Sequence, residues 1–146
     1  PDAALRSVYL IAFDEPAAAM RTYKVERIQS ATLTMDRYEI PDDFDPDRWL
    51  ANSWGIWSSD STPTALVRLR FDAAVAHRVR EAIWHRSQQL RELPDGGVEL
   101  AVTVAGTVEI KPWILSWGEA VEVLEPAELR EAVVTSIRGA AARYAG

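Results

Sequence analysis

The sequence predicts an α+β chain in two parts, a short β-rich segment and a larger α+β unit, joined by an acidic connector. Three observations carry this. The first 35 residues hold only strand-like patterns, and residues 41–63 gather Pro41, Pro46 and Pro63 around a run of acids. From Ala65 onward, period-two and period-3.6 patterns alternate in the order β-α-β-β-α-β, with one further helix at the end. The expected division is 1–40, 41–63 and 64–146.

The opening strands come first. Val8-Tyr9-Leu10-Ile11-Ala12-Phe13 is short, apolar and rich in β-formers, so it reads as a buried strand. Asp14-Glu15-Pro16 supplies turn chemistry, because Pro fixes φ and Asp can bond the local backbone. Arg21 to Ile28 mixes aromatic, β-branched and basic residues with a period near two, which predicts a second strand with one wet face. In that strand Tyr23 and Val25 are expected inside, and Lys24 and Glu26 outside. Ala31-Thr32-Leu33-Thr34-Met35 alternates cleanly and predicts a third strand. Three strands in so short a stretch cannot close a barrel, so further strands from upstream or from a partner are expected.

In the connector, Asp45-Pro46 is a helix start, with a capping carboxylate and Pro at the first helical position. Trp49, Leu50 and Ser53 would share one side of a short helix ended by Gly55. Trp54 and Trp57 would pin the connector to a neighbour, and Ser58 to Ser61 read as loop.

The larger unit is more regular. Ala65, Val67, Leu69 and Phe71 alternate with Leu66, Arg68 and Arg70, which predicts a strand. Asp72 should cap a helix whose buried face is Val75, Val79 and Ile83, ending at Trp84-His85. Gln88 to Leu93 and Val98 to Val104 flank Pro94-Asp95-Gly96-Gly97, a hairpin signal. Ile110, Trp113, Ile114 and Trp117 fall at helical spacing before Gly118 as one core-facing stripe, with Pro112 placed in the first turn. Ala120 to Leu124 predicts a strand. Pro126 opens a last helix with Leu129, Val133, Ile137, Ala140 and Tyr144 on its buried face. This order of elements matches the split-βαβ, ferredoxin-like motif.

Composition excludes several function classes. The chain has 146 residues and 48% hydrophobic content, enough for one ordinary domain or two small ones. No apolar window approaches a membrane span, and no secretory leader pattern opens the chain, so a cytoplasmic location is expected. Its start at Pro1 suggests an excised piece. The absence of Cys removes disulfides and thiolate chemistry. With His77 and His85 the only histidines, zinc and nucleophile–base constellations lack ligands, so neither catalysis nor a cofactor is expected. The net charge of −6 argues against indiscriminate nucleic-acid binding. Most of it sits in one place, since residues 36–47 hold six acids against Arg37. A local basic patch remains compatible with the balance.

Several motifs in order resemble those of the bacterial WYL-domain transcriptional regulators and their C-terminal WCX extension. The tripeptide is Val8-Tyr9-Leu10, and the basic stretch is Arg21-Thr22-Tyr23-Lys24-Val25-Glu26-Arg27-Ile28. The extension is marked by Val67-Arg68-Leu69-Arg70-Phe71, Trp84-His85-Arg86-Ser87-Gln88, Trp113-Ile114-Leu115-Ser116-Trp117-Gly118 and Glu122 to Arg130. The resemblance implies a partial SH3/Sm-like β-barrel followed by a ferredoxin-like βαββαβ extension with a C-terminal helix. It also implies a ligand-sensing regulatory region, a single-stranded DNA or other nucleic-acid effector, a homodimer, and an N-terminal helix-turn-helix for promoter DNA that this chain lacks. The chain departs from the family pattern at Val8, Lys24 and Glu26. Lys24 keeps the charge of the usual Arg and loses its planar fork.

Two readings attend each candidate residue. Arg21, Tyr23, Lys24 and Arg27 suit backbone phosphates and stacked bases, or they form a solvated strand face with Tyr23 in the core. His85 and Gln88 contact a ligand, or His85 simply meets the negative end of a helix. Arg68 and Arg70 extend a basic groove or face water. The competing function is a purely structural dimerisation module with no ligand of its own.

Overall fold

A computed structural model describes residues 8–40, 42, 44–50, 53–55 and 63–145. The chain forms two compact units, residues 1–62 and 63–146. Among the described residues the architecture is α+β with two antiparallel sheets, a long C-terminal helix and no closed barrel.

In the first unit, β1 (Tyr9–Asp14) and β2 (Ala19–Lys24) form an antiparallel hairpin, with Tyr9 opposite Lys24 and Asp14 opposite Ala19. The turn forms as its residues dictate. Asp14 Oδ1 accepts the Ala17 N–H at 3.0 Å, and the Ala18 N–H donates to the Glu15 carbonyl at 3.1 Å. Ala18 takes the left-handed conformation, φ 48°.

Three expectations for this unit are corrected. The second strand stops at Lys24, and Val25–Arg27 turns into a 3-10 helix. The Val25 N–H makes a last cross-strand bond to the Val8 carbonyl, and the Ile28 N–H then closes back on the Val25 carbonyl to form the turn. The inward and outward assignment along β2 is reversed: Tyr23 lies on the more exposed side, while Thr22 and Lys24 are half-buried. Val25 is exposed as well. Finally, Ala31 to Met35 forms no strand, and Leu33 and Met35 are both 99% exposed. Alternation makes a strand only where a neighbour takes up its N–H and C=O groups, and no described residue does so here.

The connector helix α1 (Pro46–Trp49) starts at Asp45-Pro46 as expected, with the Trp49 N–H bonded to the Asp45 carbonyl at 2.9 Å. It lasts one turn and ends well before Gly55. Trp57 and the Ser58–Ser61 loop lie outside the described residues.

The second unit runs β3 (Thr64–Phe71), α2 (Ala73–Arg80), β4 (Gln89–Glu92), β5 (Val98–Ala105), α3 (Ile110–Leu115), β6 (Val121–Glu125) and α4 (Ala127–Tyr144). Its antiparallel sheet has the order β4-β5-β3-β6. The register sets Val67, Leu69 and Phe71 opposite Val102, Leu100 and Val98, and all six are buried. Ala76 and Val79 of α2, Ile110 and Ile114 of α3, Val123, and Leu129 and Val133 of α4 complete the core. Each large side chain sealed here contributes about 1.5–3 kcal/mol. The β4–β5 turn closes through Leu93–Gly97 and Gly96–Leu93 backbone bonds, both 3.0 Å, with Gly96 at φ 83°.

Four details differ from the sequence reading. Asp72 occupies the cap position of α2, but its side chain makes no capping bond and instead approaches Arg70. Helix α2 ends at Arg80, which leaves Ile83 85% exposed. Trp113 and Trp117 are half-buried, not sealed in the core. The buried stripe of α4 stops at Val133, so Ile137, Ala140 and Tyr144 are exposed. Pro112 falls in the first turn of α3 as expected, where its missing N–H costs no helical bond.

Candidate functional site

In the first unit, Tyr9, Thr22, Tyr23, Lys24, Arg27 and Ile28 line an open cleft of about 290 Å³. Strand pairing puts Tyr9 beside Lys24, and the 3-10 turn brings Arg27 and Ile28 round to the same place. Lys24 and Arg27 have no ion-pair partner among the described residues. The Thr22 hydroxyl is occluded and likewise has no hydrogen-bond partner among them. Two cations, the Tyr9 ring and an unused hydroxyl suit an anionic, ring-bearing ligand.

The structure splits the expected quartet. Tyr23, Lys24 and Arg27 line the cleft, and Arg21 does not. Alternation along the hairpin sets Arg21 and Tyr23 on the face that carries Asp14. The Tyr23 hydroxyl donates to Asp14 Oδ2, and Arg21 Nε lies 3.5 Å from that same oxygen. The Tyr23 hydrogen bond, then the Ala17 N–H and Arg21, hold the Asp14 carboxyl below its ordinary range. The same bond pushes the Tyr23 phenol up. In the sequence alone Asp14 reads as a turn residue. The turn length was the available signal, since it sets Asp14 diagonal to Arg21 on one strand face.

His85 and Gln88 belong to the second unit, and their bonds brace the Trp84–Gln88 turn. Gln88 Oε1 accepts the Trp84 N–H at 2.7 Å and the His85 N–H at 3.4 Å, while its Nε2 donates to the Ala82 carbonyl at 3.3 Å. His85 is buried, and its Nδ1 accepts the Ser87 N–H at 3.2 Å. The Ser87 hydroxyl in turn accepts the Thr103 N–H at 2.8 Å, tying the turn to β5. Phe71, Trp84, Trp113 and Trp117 pack edge-on and tilted, with centroids 5.1–5.9 Å apart, and Arg78 sits 4.7 Å over Trp117. This motif holds α2 to the sheet.

Arg68 and Arg70 lie on the sheet face away from the core, and both are matched by acids. Arg68 reaches Glu99 through Nε at 2.8 Å and Glu125 through Nη1 at 3.2 Å. Arg91 shares the Glu99 carboxylate, and Arg70 pairs with Asp95. Arg91, followed by Arg68, depresses Glu99 despite its burial, which alone would raise it. This face is therefore close to neutral and makes a poor basic groove. Among the described residues, no three His, Asp or Glu side chains gather to hold a metal, and no helix is long and apolar enough to cross a membrane.

Residues 63–141 match the WCX domain family, which is more than half of the chain. The chain belongs to the WCX-domain family. The match falls on the stretch where the motifs resembled the extension of WYL regulators, and the second unit is its WCX domain. Among solved structures, proteasome accessory factor B/C (PafBC) of Arthrobacter aurescens is 25% identical, with a TM-score of 0.42. The alignment covers 86% of this chain and 19% of that one, so the chain spans about a fifth of that protein. No curated protein matches the chain.

Proposed function

We propose that this chain is the ligand-sensing, regulatory C-terminal region of a WYL-type transcriptional regulator, with single-stranded nucleic acid as its effector. In this reading the first unit is the back of an SH3/Sm-like barrel. The second is a ferredoxin-like extension, a reading supported by its β-α-β-β-α-β order and its β4-β5-β3-β6 sheet. The WCX match supports the regulatory role, and the cleft supports the ligand. The observation that carries the ligand reading is the pairing of unmatched Lys24 and Arg27 with the ring of Tyr9. Cations track phosphates, and aromatic faces accept any base. The module acts without catalysis: an occupied cleft biases a dimer, and with it a helix-turn-helix elsewhere in the protein, between two states. Arg21 is a further candidate contact on the opposite face of the hairpin, whereas the bonds of His85 and Gln88 favour bracing over ligand contact.

The test is fluorescence anisotropy with a labelled oligothymidylate against wild type and a Lys24→Ala/Arg27→Ala variant. The reading expects at least a tenfold loss of affinity in the variant, on the order of the loss of two phosphate contacts. Equal affinities would reject it.

A structural reading has one observation in its favour. Val134, Ile137 and Tyr144 leave the outer half of α4 apolar and exposed, suited to a second copy. A dimer whose mass and stability ignore oligonucleotide would favour that reading.

A further inference from the structure

We propose that Asp14 is a resident anion which competes with the ligand's phosphate for Arg21 and Tyr23, and so limits how many cations the site presents. The inference rests on the nucleic-acid reading above. It names a residue that this reading does not use.

Asp14 is placed for the task by the hairpin itself. The register sets Asp14 opposite Ala19, two residues from Arg21 on the same face, and Tyr23 follows two residues further along. One carboxylate thereby takes the Ala17 N–H on Oδ1 at 3.0 Å, and both the Tyr23 hydroxyl and Arg21 Nε on Oδ2. The Asp14 side chain is 18% exposed and that of Arg21 is 59% exposed, so the cation meets solvent while its counter-ion is sheltered. A phosphate oxygen has the charge and acceptor geometry of the carboxylate it would displace. Lys24 and Arg27 carry no such counter-ion among the described residues. The cleft therefore holds two cations ready for phosphate, and the opposite face of the hairpin holds a third, Arg21, that is already neutralised. A phosphate that takes Arg21 Nε displaces Asp14 Oδ2, the same oxygen that accepts the Tyr23 hydroxyl.

The two parts of the Asp14 carboxylate can be separated experimentally. In Asp14→Asn, the amide oxygen still accepts the Ala17 N–H, so the turn is kept, while the charge facing Arg21 and the acceptor of the Tyr23 hydroxyl are removed. Anisotropy titrations with the labelled oligothymidylate, repeated across a salt series, compare wild type, Asp14→Asn, Arg21→Ala and the double variant. Circular dichroism checks that each is folded. The proposal expects Asp14→Asn to bind roughly fivefold more tightly, the effect of one unit charge at contact distance in water. It also expects a salt slope steeper by about 0.7, the contribution of one more phosphate contact on a single strand. In the Arg21→Ala background, Asp14→Asn should change neither quantity. Wild-type binding with an unchanged or shallower slope in Asp14→Asn overturns the proposal and leaves the nucleic-acid reading standing. Absence of binding by both wild type and Asp14→Asn overturns the two together.

Discussion

Replacing Glu99 by Ala will destabilise the WCX unit by about 2 kcal/mol, although the residue lies on the sheet face away from the core. Glu99 is 5% exposed, and its carboxylate takes Arg68 Nε at 2.8 Å and Nη2 at 2.6 Å on one oxygen and Arg91 on the other. Losing hydrogen bonds between charged groups costs about 1.5–3 kcal/mol at a sheltered site. Two features pull the value toward the lower end. The side chain of Arg68 is 34% exposed and keeps Glu125, while that of Arg91 is 65% exposed, where screening leaves an ion pair little weight. In a unit of this size, about 2 kcal/mol lowers the melting temperature by roughly 8–16 °C. The sign with pH also follows. The arginines hold the folded-state Glu99 below its ordinary value, so its contribution is fully present above the unfolded value and is lost as pH falls through the folded one. Thermal melts of wild type and Glu99→Gln should therefore differ at neutral pH and converge in acid below the usual carboxylate range. A gap that stays constant across that range would show the charge is not what stabilises Glu99, and would refute the reasoning.

Two further outcomes follow from the same unit. In Gly97→Ala, the new Cβ would stand 2.6 Å from the Phe71 carbonyl oxygen, a backbone atom that cannot swing away, so β3 and the β4–β5 hairpin must part. Urea denaturation should register a loss well above that of Gly118→Ala, whose Cβ meets open space at φ 60° and carries only the left-handed penalty of about 1–2 kcal/mol. Gln88→Ala orphans the Trp84 N–H and should cost about 1–3 kcal/mol in the same assay. It should leave oligonucleotide affinity unchanged, because Gln88 braces a turn.

The WCX unit was largely legible in the sequence because its signals are local and agree with one another. Val67, Leu69 and Phe71 alternate, Gly96 and Gly97 mark the hairpin, and Ile110 and Ile114 keep helical spacing. Errors came where tertiary contact overrides local pattern. Ile83 has a helical period with the buried Val79, yet α2 ends first because the Gln88 side chain holds Trp84 and His85 in a turn. Ile137 and Tyr144 keep the period of α4, yet both stay exposed, so the helical period runs past the buried stripe. The first unit was read less well. Leu33 and Met35 alternate without a described neighbour to pair with, and a reversed strand face moved Tyr23 outward and Lys24 half inward. Of the candidate site, the cations were visible as a run, but their partition by Asp14 was not. It depends on register, which a single strand's sequence does not contain.

The salt dependence of oligothymidylate binding tests the central claim most directly. Lys24 and Arg27 are the cleft cations without a described counter-ion, so the logarithm of the wild-type binding constant should fall against the logarithm of salt with a slope of about −1.4. The Lys24→Ala/Arg27→Ala variant should bring that slope close to zero. A wild-type response as flat as the variant's would contradict the assignment of the cleft to nucleic acid.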